Sequence, residues 1–229
     1  MYLSRLLLNP RNRAVCRDLA NLQDLHRTVM SAFPETRVSG EGAREHFGVL
    51  HRLDLDRRQG RLVLYVQSRE QPDWSGLPQG YLLFGSGLEN PAVKSVAAAF
   101  QSLKSGRVLA FRLKANPTRK IDTKTGPDGR RRHGRRVELV QEEDQVDWLR
   151  RKGHQGGFEV LSARVAGPSK EQGRRPRREP GSPPLTLAGV IFEGHLRVTD
   201  AEQFLQQSLQ RGIGPGKAYG LGLLSLSPP

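Results

Sequence analysis

The 229 residues carry 37 lysines and arginines against 23 aspartates and glutamates, a formal net charge of +14. That surplus points to a polyanionic partner, nucleic acid before a membrane surface, and the length admits one large domain or two small ones with a real core. The lone Cys16 excludes an internal disulfide and a cysteine-rich zinc site; no apolar run approaches membrane-spanning length, and Arg5 and Pro10 break the N-terminal apolar stretch too early for a signal peptide, so the expectation is a cytoplasmic protein with no membrane contact.

In chain order, Tyr2 to Leu8 suits a buried strand. Asp18 is placed to cap one helix running to about Phe33, with Leu22, Leu25, Val29, Met30 and Phe33 on one face and Pro34 ending it. Phe47 to Leu53 and Arg61 to Ser68 read as a hairpin around Asp56–Gly60. Pro72 to Gly80 offers one or two helical turns, and Tyr81 to Phe84 a closing strand. The order β-α-β-β-(α)-β is the ferredoxin-like pattern, assigned to residues 1–88. Residues 89–106 read as a connector with helical character around Val93 to Leu103.

A second cycle occupies residues 107–229. Val108 to Ala115 alternates Leu109, Phe111 and Leu113 with polar partners, and Asn116-Pro117 ends the strand. Arg119 to Arg136 is intensely basic around the turn signal Gly126-Pro127-Asp128-Gly129, and Val137 to Val140 resumes a strand. Gln141 to Lys152 predicts a helix burying Val146 and Leu149 and stopped by Gly153. Phe158 to Val165 is a strand, Gly167 to Pro184 a low-complexity surface loop, and Leu185 to Val198 a strand turning at Glu193-Gly194. Asp200 caps a helix with Ala201, Phe204, Leu205 and Leu209 inward; Gly212 stops it, and Leu221 to Leu226 is the last strand. The fold class is α+β: two tandem ferredoxin-like (RRM-like) domains, with a basic β-hairpin inserted in the second.

The stretch Gly212 to Ser225 interleaves five glycines with Lys217. Exposed N–H groups beside a lysine make an anion cradle, and Gly214 and Gly216 are assigned to a phosphate backbone. A Walker A loop is excluded, because Arg211 stands at the first glycine position and Ala218 replaces the hydroxyl. A dinucleotide fingerprint would need a βαβ unit for which too few residues follow. His26 lies at the edge of the first helix's apolar face, with Gln23 and Arg27 its neighbours at helical spacing. RNA supplies its own 2′-hydroxyl nucleophile, so cleavage needs a positioned strand, a proton shuttle and charge stabilisation. His26 can shift the proton and Lys217 or Arg27 can hold the charge, without metal or cofactor. His46, His51, His133, His154 and His195 read as surface or packing residues. Arg130, Arg131, Arg132, Arg135 and Arg136 flank the turn of a ribbon suited to a structured RNA groove. Arg119, Lys120, Arg112, Lys114 and Asn116 extend that RNA-binding set; the run from Arg174 to Arg178 adds only non-specific attraction.

Together these stretches resemble the CasE family, the endoribonuclease that processes CRISPR repeat transcripts in type I-E systems. The resemblance spans nearly the whole chain. It is carried by Met1-Tyr2-Leu3-Ser4-Arg5-Leu6, Arg17-Asp18-Leu19 through Leu25-His26, and Phe111 to Pro117. It continues in Trp148-Leu149, Phe192-Glu193-Gly194, Gly212 to Lys217 and Gly222-Leu223-Leu224-Ser225. The resemblance implies metal-independent cleavage at the 3′ base of a repeat stem-loop, a 2′,3′-cyclic phosphate product, and retention of the mature guide RNA with the other subunits of the Cascade complex. The family's catalytic histidine falls on His26. The family's tyrosine three residues earlier is Gln23 here, which cannot transfer a proton; Tyr219 is the candidate substitute. The competing expectations are a non-cleaving subunit that binds structured RNA and an NTP-binding regulator.

Overall fold

The computed structural model describes residues 1–35, 42–85, 87–121, 135–173 and 185–229. Strand β1 (Tyr2–Leu8) is followed by two helices, α1 (Arg13–Ala20) and α2 (Leu22–Met30), where the sequence predicted one. Asparagine chemistry makes the break. The Asn12 side chain caps α1 by accepting from the Ala14 and Val15 amides. Asn21, extended at φ −147° and ψ 110°, ends α1 and caps α2 by accepting from the Gln23 amide. A side chain that bonds the backbone two residues on competes with helix continuation. Asp18 is therefore no cap. It lies buried within α1, accepting from the Tyr81 hydroxyl at 2.8 Å, from Thr28 Oγ1 at 2.6 Å and from Arg17. This knot ties α1 to α2 and to the Tyr81 loop, and burial beside Asp18 raises the Tyr81 pKa. Asp18→Ala strands the buried Tyr81 hydroxyl and should lower the unfolding free energy by about 3 kcal/mol in urea titrations.

The chain next forms a single helical turn, α3 (Ala43–His46), and turns on through Gly48, so the strand expected from Phe47 starts only at Leu50. Strand β2 (Leu50–Asp56), strand β3 (Arg61–Ser68) and strand β4 (Ala92–Ser95) complete an antiparallel sheet of order β2-β3-β1-β4. Tyr81–Phe84 is not the closing strand: it contributes one bridge, Leu82 to Leu8. The fourth strand comes from the stretch read as connector, which also holds α4 (Ala97–Gln101). Residues 72–80 form no helix; Trp74 is buried there, and its Nε1 donates to Ser4 Oγ at 3.1 Å. The first core joins Val15, Leu25 and Val29 of the helices to Leu6, Leu8, Leu64 and Val66 of the sheet.

The second sheet has order β10-β5-β9-β8 and is also antiparallel, from β5 (Val108–Ala115), β8 (Phe158–Gly173), β9 (Leu185–Val198) and β10 (Leu224–Ser227). It repeats the strand order of the first. Between β5 and β8 lie a ribbon of β6 (Thr118–Ile121) with β7 (Arg135–Glu138), and then α5 (Glu142–Gln155). Helix α5 buries Gln145, Trp148 and Leu149, while Val146 is only half-buried. Strand β8 runs on to Gly173, beyond the predicted end at Val165, and pairs with β9 from Leu185; the rest of the low-complexity stretch, 174–184, lies outside the described residues. Glu193-Gly194 is no turn. A Cβ on Gly194 would sit 2.0 Å from the Ser162 carbonyl oxygen, so glycine lets β8 and β9 approach at a register irregularity. Asp200 does cap the last helix, accepting from the Gln203 amide at 2.9 Å. That helix, α6 (Ala201–Gln203), widens into a π-helical stretch over Phe204–Gln210. A second core gathers Phe111, Leu113, Trp148, Phe158, Phe192 and Phe204.

Candidate active site and nucleic-acid interface

Helix α2 buries Leu22 and turns Leu25 and Val29 into the first core, which leaves His26 half-buried at its border. The His26 Nδ1 is buried without a hydrogen-bond partner. Facing it, 6.3 Å between ring centroids and tilted by 22°, is His51 of β2. His51 is 1% exposed, and neither ring nitrogen has a partner. Burial, with His26, Arg44 and Lys114 adding repulsion, pushes the His51 pKa down to about 3. Burial and then Arg44 also lower that of His26. Both rings are neutral near pH 7, and a neutral imidazole can accept a proton.

The glycine-rich segment is brought to this pair by the packing of the two sheets. Arg52 of β2 is 3% exposed, and its Nη1 donates to the Arg112 carbonyl at 3.2 Å, the Leu223 carbonyl at 3.2 Å and Ser225 Oγ at 2.9 Å. Its Nε is held by Asp54 at 3.0 Å, and Gln67 Nε2 donates to the Leu209 carbonyl at 2.7 Å. Gly212 has φ +75°, and a Cβ there would meet Leu50 at 2.8 Å and the Gly222 oxygen at 2.9 Å. Only glycine allows the loop to lie this close to β2. The loop then closes on itself: Ile213 N donates to Gly222 O at 3.0 Å, and Gly222 N donates to Lys114 O at 2.7 Å. Residues Lys217–Tyr219 form one 3₁₀ turn that packs on α2 and β2. A Cβ on Gly220 would lie 3.6 Å from the His51 ring.

Lys217 is half-buried, and burial followed by Arg44 lowers its pKa. It borders two concavities. One is a cleft of about 470 Å³ with Arg136, Trp148, Arg151, Lys152 and Gly214 among its lining residues. No carboxylate is among the described residues lining it. The other is a shallow cavity of about 340 Å³ with Arg44, Glu45 and Tyr219. A basic track thus runs from the β6–β7 ribbon, over the glycine loop, to the histidine pair. Such a track suits a phosphate chain, and the half-buried His26 at its end is the ring that can move a proton between oxygens.

A family model described as CRISPR associated protein matches residues 1–228. The chain belongs to that family. The CRISPR-associated endoribonuclease Cse3 of Thermus thermophilus is 38% identical over 237 residues, with both chains covered in full. The CRISPR system Cascade subunit CasE of Escherichia coli K12 is 32% identical over 232 residues, again across the whole of each. A solved structure of Thermus thermophilus Cse3, bound to an RNA representing a pre-cleavage complex, matches with a TM-score of 0.76 at 36% identity, covering 99% of this chain and 98% of that one.

In this member of the CRISPR-associated family, the residues singled out from the sequence divide by environment. His26, Lys217, Tyr219, Gly214 and Gly216 come together at the meeting of α2, β2 and the glycine loop. Gln23 is half-buried in the first turn of α2. Arg27 is exposed and ion-paired to Asp24 at 2.8 Å. Arg119, Lys120 and Arg136 are exposed on the ribbon, which also includes Arg135. Arg112 and Lys114 lie in the seam between the sheets. Arg112 is ion-paired with Glu193 and lies 3.6 Å from Asp54; Lys114 and Asn116 are buried, and burial brings the Lys114 pKa down to about 8. Arg130, Arg131 and Arg132 fall outside the described residues. Sequence reasoning missed Arg44, His51, Arg151 and Lys152. The basic triplet Arg150-Arg151-Lys152 at the end of α5 was the one available signal.

Proposed function

We propose that this protein is the endoribonuclease that cleaves CRISPR precursor RNA at the 3′ base of the repeat stem-loop, and that it stays bound to the mature crRNA as a Cascade subunit. The observation that carries the proposal is a neutral His26 on the helix against which the Lys217 turn packs, at the end of a basic track, in a chain alike over its full length to a named endoribonuclease and a named Cascade subunit. The architecture behind it is read as two tandem ferredoxin-like domains. The repeated strand order supports this, with β4 taken into the first domain and the β6–β7 ribbon inserted in the second.

In the mechanism, His26 takes the proton of the 2′-hydroxyl, whose oxygen attacks the adjacent phosphorus. The bond from phosphorus to the 5′ oxygen breaks, leaving a 2′,3′-cyclic phosphate and a 5′-hydroxyl. Lys217 sits beside the phosphate and offsets the charge of the phosphorane. Burial makes its ammonium a stronger acid, suited to sharing a proton with the leaving oxygen. Tyr219 stands in the same turn as a second hydroxyl donor, while Gln23 only orients a group by hydrogen bonding. The ribbon residues Arg119, Lys120, Arg135 and Arg136, with Arg151 and Lys152, hold the stem by its phosphates.

The reaction is read as metal-independent, because the nucleophile comes from the RNA and the proton chemistry from side chains. A labelled repeat hairpin incubated with the protein in EDTA should yield a single cut with a cyclic-phosphate end. A cut that needs added divalent metal would overturn metal independence. Gln23 in place of the family tyrosine favours a second reading, structured-RNA binding without cleavage, and binding with no cut in the same assay would establish it.

A further inference from the structure

We propose that Arg44 is a further catalytic residue: its guanidinium contacts the scissile phosphate alongside Lys217 and carries the charge that develops there. The proposal rests on the ribonuclease reading of the site and adds to it a cation from the first half of the chain.

Arg44 is held in place before any RNA arrives. Turn α3 is tied to the residue just before β2 by Val49 N donating to Arg44 O at 2.9 Å, and Phe47, just after the turn, is buried against Phe33 with ring centroids 5.2 Å apart. The guanidinium is itself anchored, Nη1 to the Val49 carbonyl at 3.2 Å and Nη2 to Glu45 Oε1 at 2.9 Å. Its side chain is 17% exposed, so it is screened on most sides yet open toward the cavity it lines with Lys217 and Tyr219. A planar fork can engage phosphate oxygens in pairs, which an ammonium cannot.

The charges around it make the same point. Arg44 lowers the proton affinity of His26, His51 and Lys217 alike, so it acts on all three at once. Two cations face one cavity, and the one acid there, Glu45, is mostly exposed. Glu45 already offsets part of this charge through its pair with Nη2, and a phosphorane carries more negative charge than the phosphate it came from, so the fork and Lys217 gain most as that charge develops. A site arranged this way favours the transition state over the bound substrate.

Arg44 from α3 and His51 from β2 act on His26, and the 3₁₀ turn that carries Lys217 packs on its helix, which also holds the Asp24–Arg27 pair; Lys114 acts from β5 on His51. Removing the Arg44 charge therefore moves the His26 titration up, toward the ordinary histidine value. The test is single-turnover cleavage of a repeat hairpin at saturating protein, with Kd measured separately, for the parent, Arg44→Gln and Arg44→Lys. For Arg44→Gln the expected cleavage rate is ~10²-fold lower, with Kd within about threefold and the acid limb of the pH–rate profile shifted to higher pH. Arg44→Lys should recover about tenfold of the loss and leave the limb near its parental position. Equal losses in both variants with an unmoved limb would mean that Arg44 only fastens α3, and would overturn the proposal. So would parental cleavage in Arg44→Gln, or a loss confined to Kd. A parent that binds the hairpin without cutting it overturns the ribonuclease reading itself, and the Arg44 proposal with it.

Discussion

His26→Ala is expected to slow single-turnover cleavage of a CRISPR repeat hairpin by ~10²–10⁴-fold while RNA affinity stays within about threefold. The separation follows from where the residue sits. In the proposed mechanism the neutral, half-buried ring of His26 transfers protons, whereas binding is assigned to the cations of the ribbon, α5 and the glycine loop. Salt-dependent affinity scales with the number of phosphates neutralised, and an uncharged imidazole neutralises none. The pH profile carries an independent signature. Burial first and Arg44 second lower the His26 pKa, so the base form persists below the usual histidine range. The parent should hold its rate on acidification past the pH at which a solvent-exposed histidine would be half protonated. Unchanged cleavage in His26→Ala, or an acid limb above the ordinary histidine value, would remove His26 from the mechanism.

His51 shows where reading the sequence stops. Phe47 to Leu53 reads as a strand of a hairpin, which leaves His51 a bland surface or packing residue. In the fold Leu50, His51 and Arg52 are all buried, because β2 is an edge strand covered by the second half of the chain. Periodicity reports the faces of one sheet and cannot report what docks on its edge. Strands β1, β3 and β5 lie where their apolar patterns put them. The split of α1 from α2 was missed because Asn21 looks like any polar helix residue until its side chain is seen capping. His26 and Lys217 were both singled out from the sequence, one for its helix and one for its glycines. Their convergence depends on the seam, which no local pattern encodes.

That dependence makes Arg52 the most consequential residue outside the chemistry. Arg52→Met is expected to lower the unfolding free energy by about 3 kcal/mol in urea titrations. It removes the donor to the Arg112 and Leu223 carbonyls and to Ser225 Oγ, and among the described residues it leaves the largely buried Asp54 carboxylate the more distant Arg112 as its ion-pair partner. Those acceptors belong to β5 and to the chain entering β10, directly after the glycine loop. Loosening them frees Lys217 relative to His26, and misplacement of about 1 Å can cost ~10²-fold in rate. Cleavage measured well below the melting temperature should therefore fall by ~10–10²-fold while the affinity supplied by the ribbon persists. A variant that loses stability yet cleaves at the parental rate would show that the glycine loop holds its place without the seam. Lys217 would then be positioned by the turn's own packing on α2 and β2 alone.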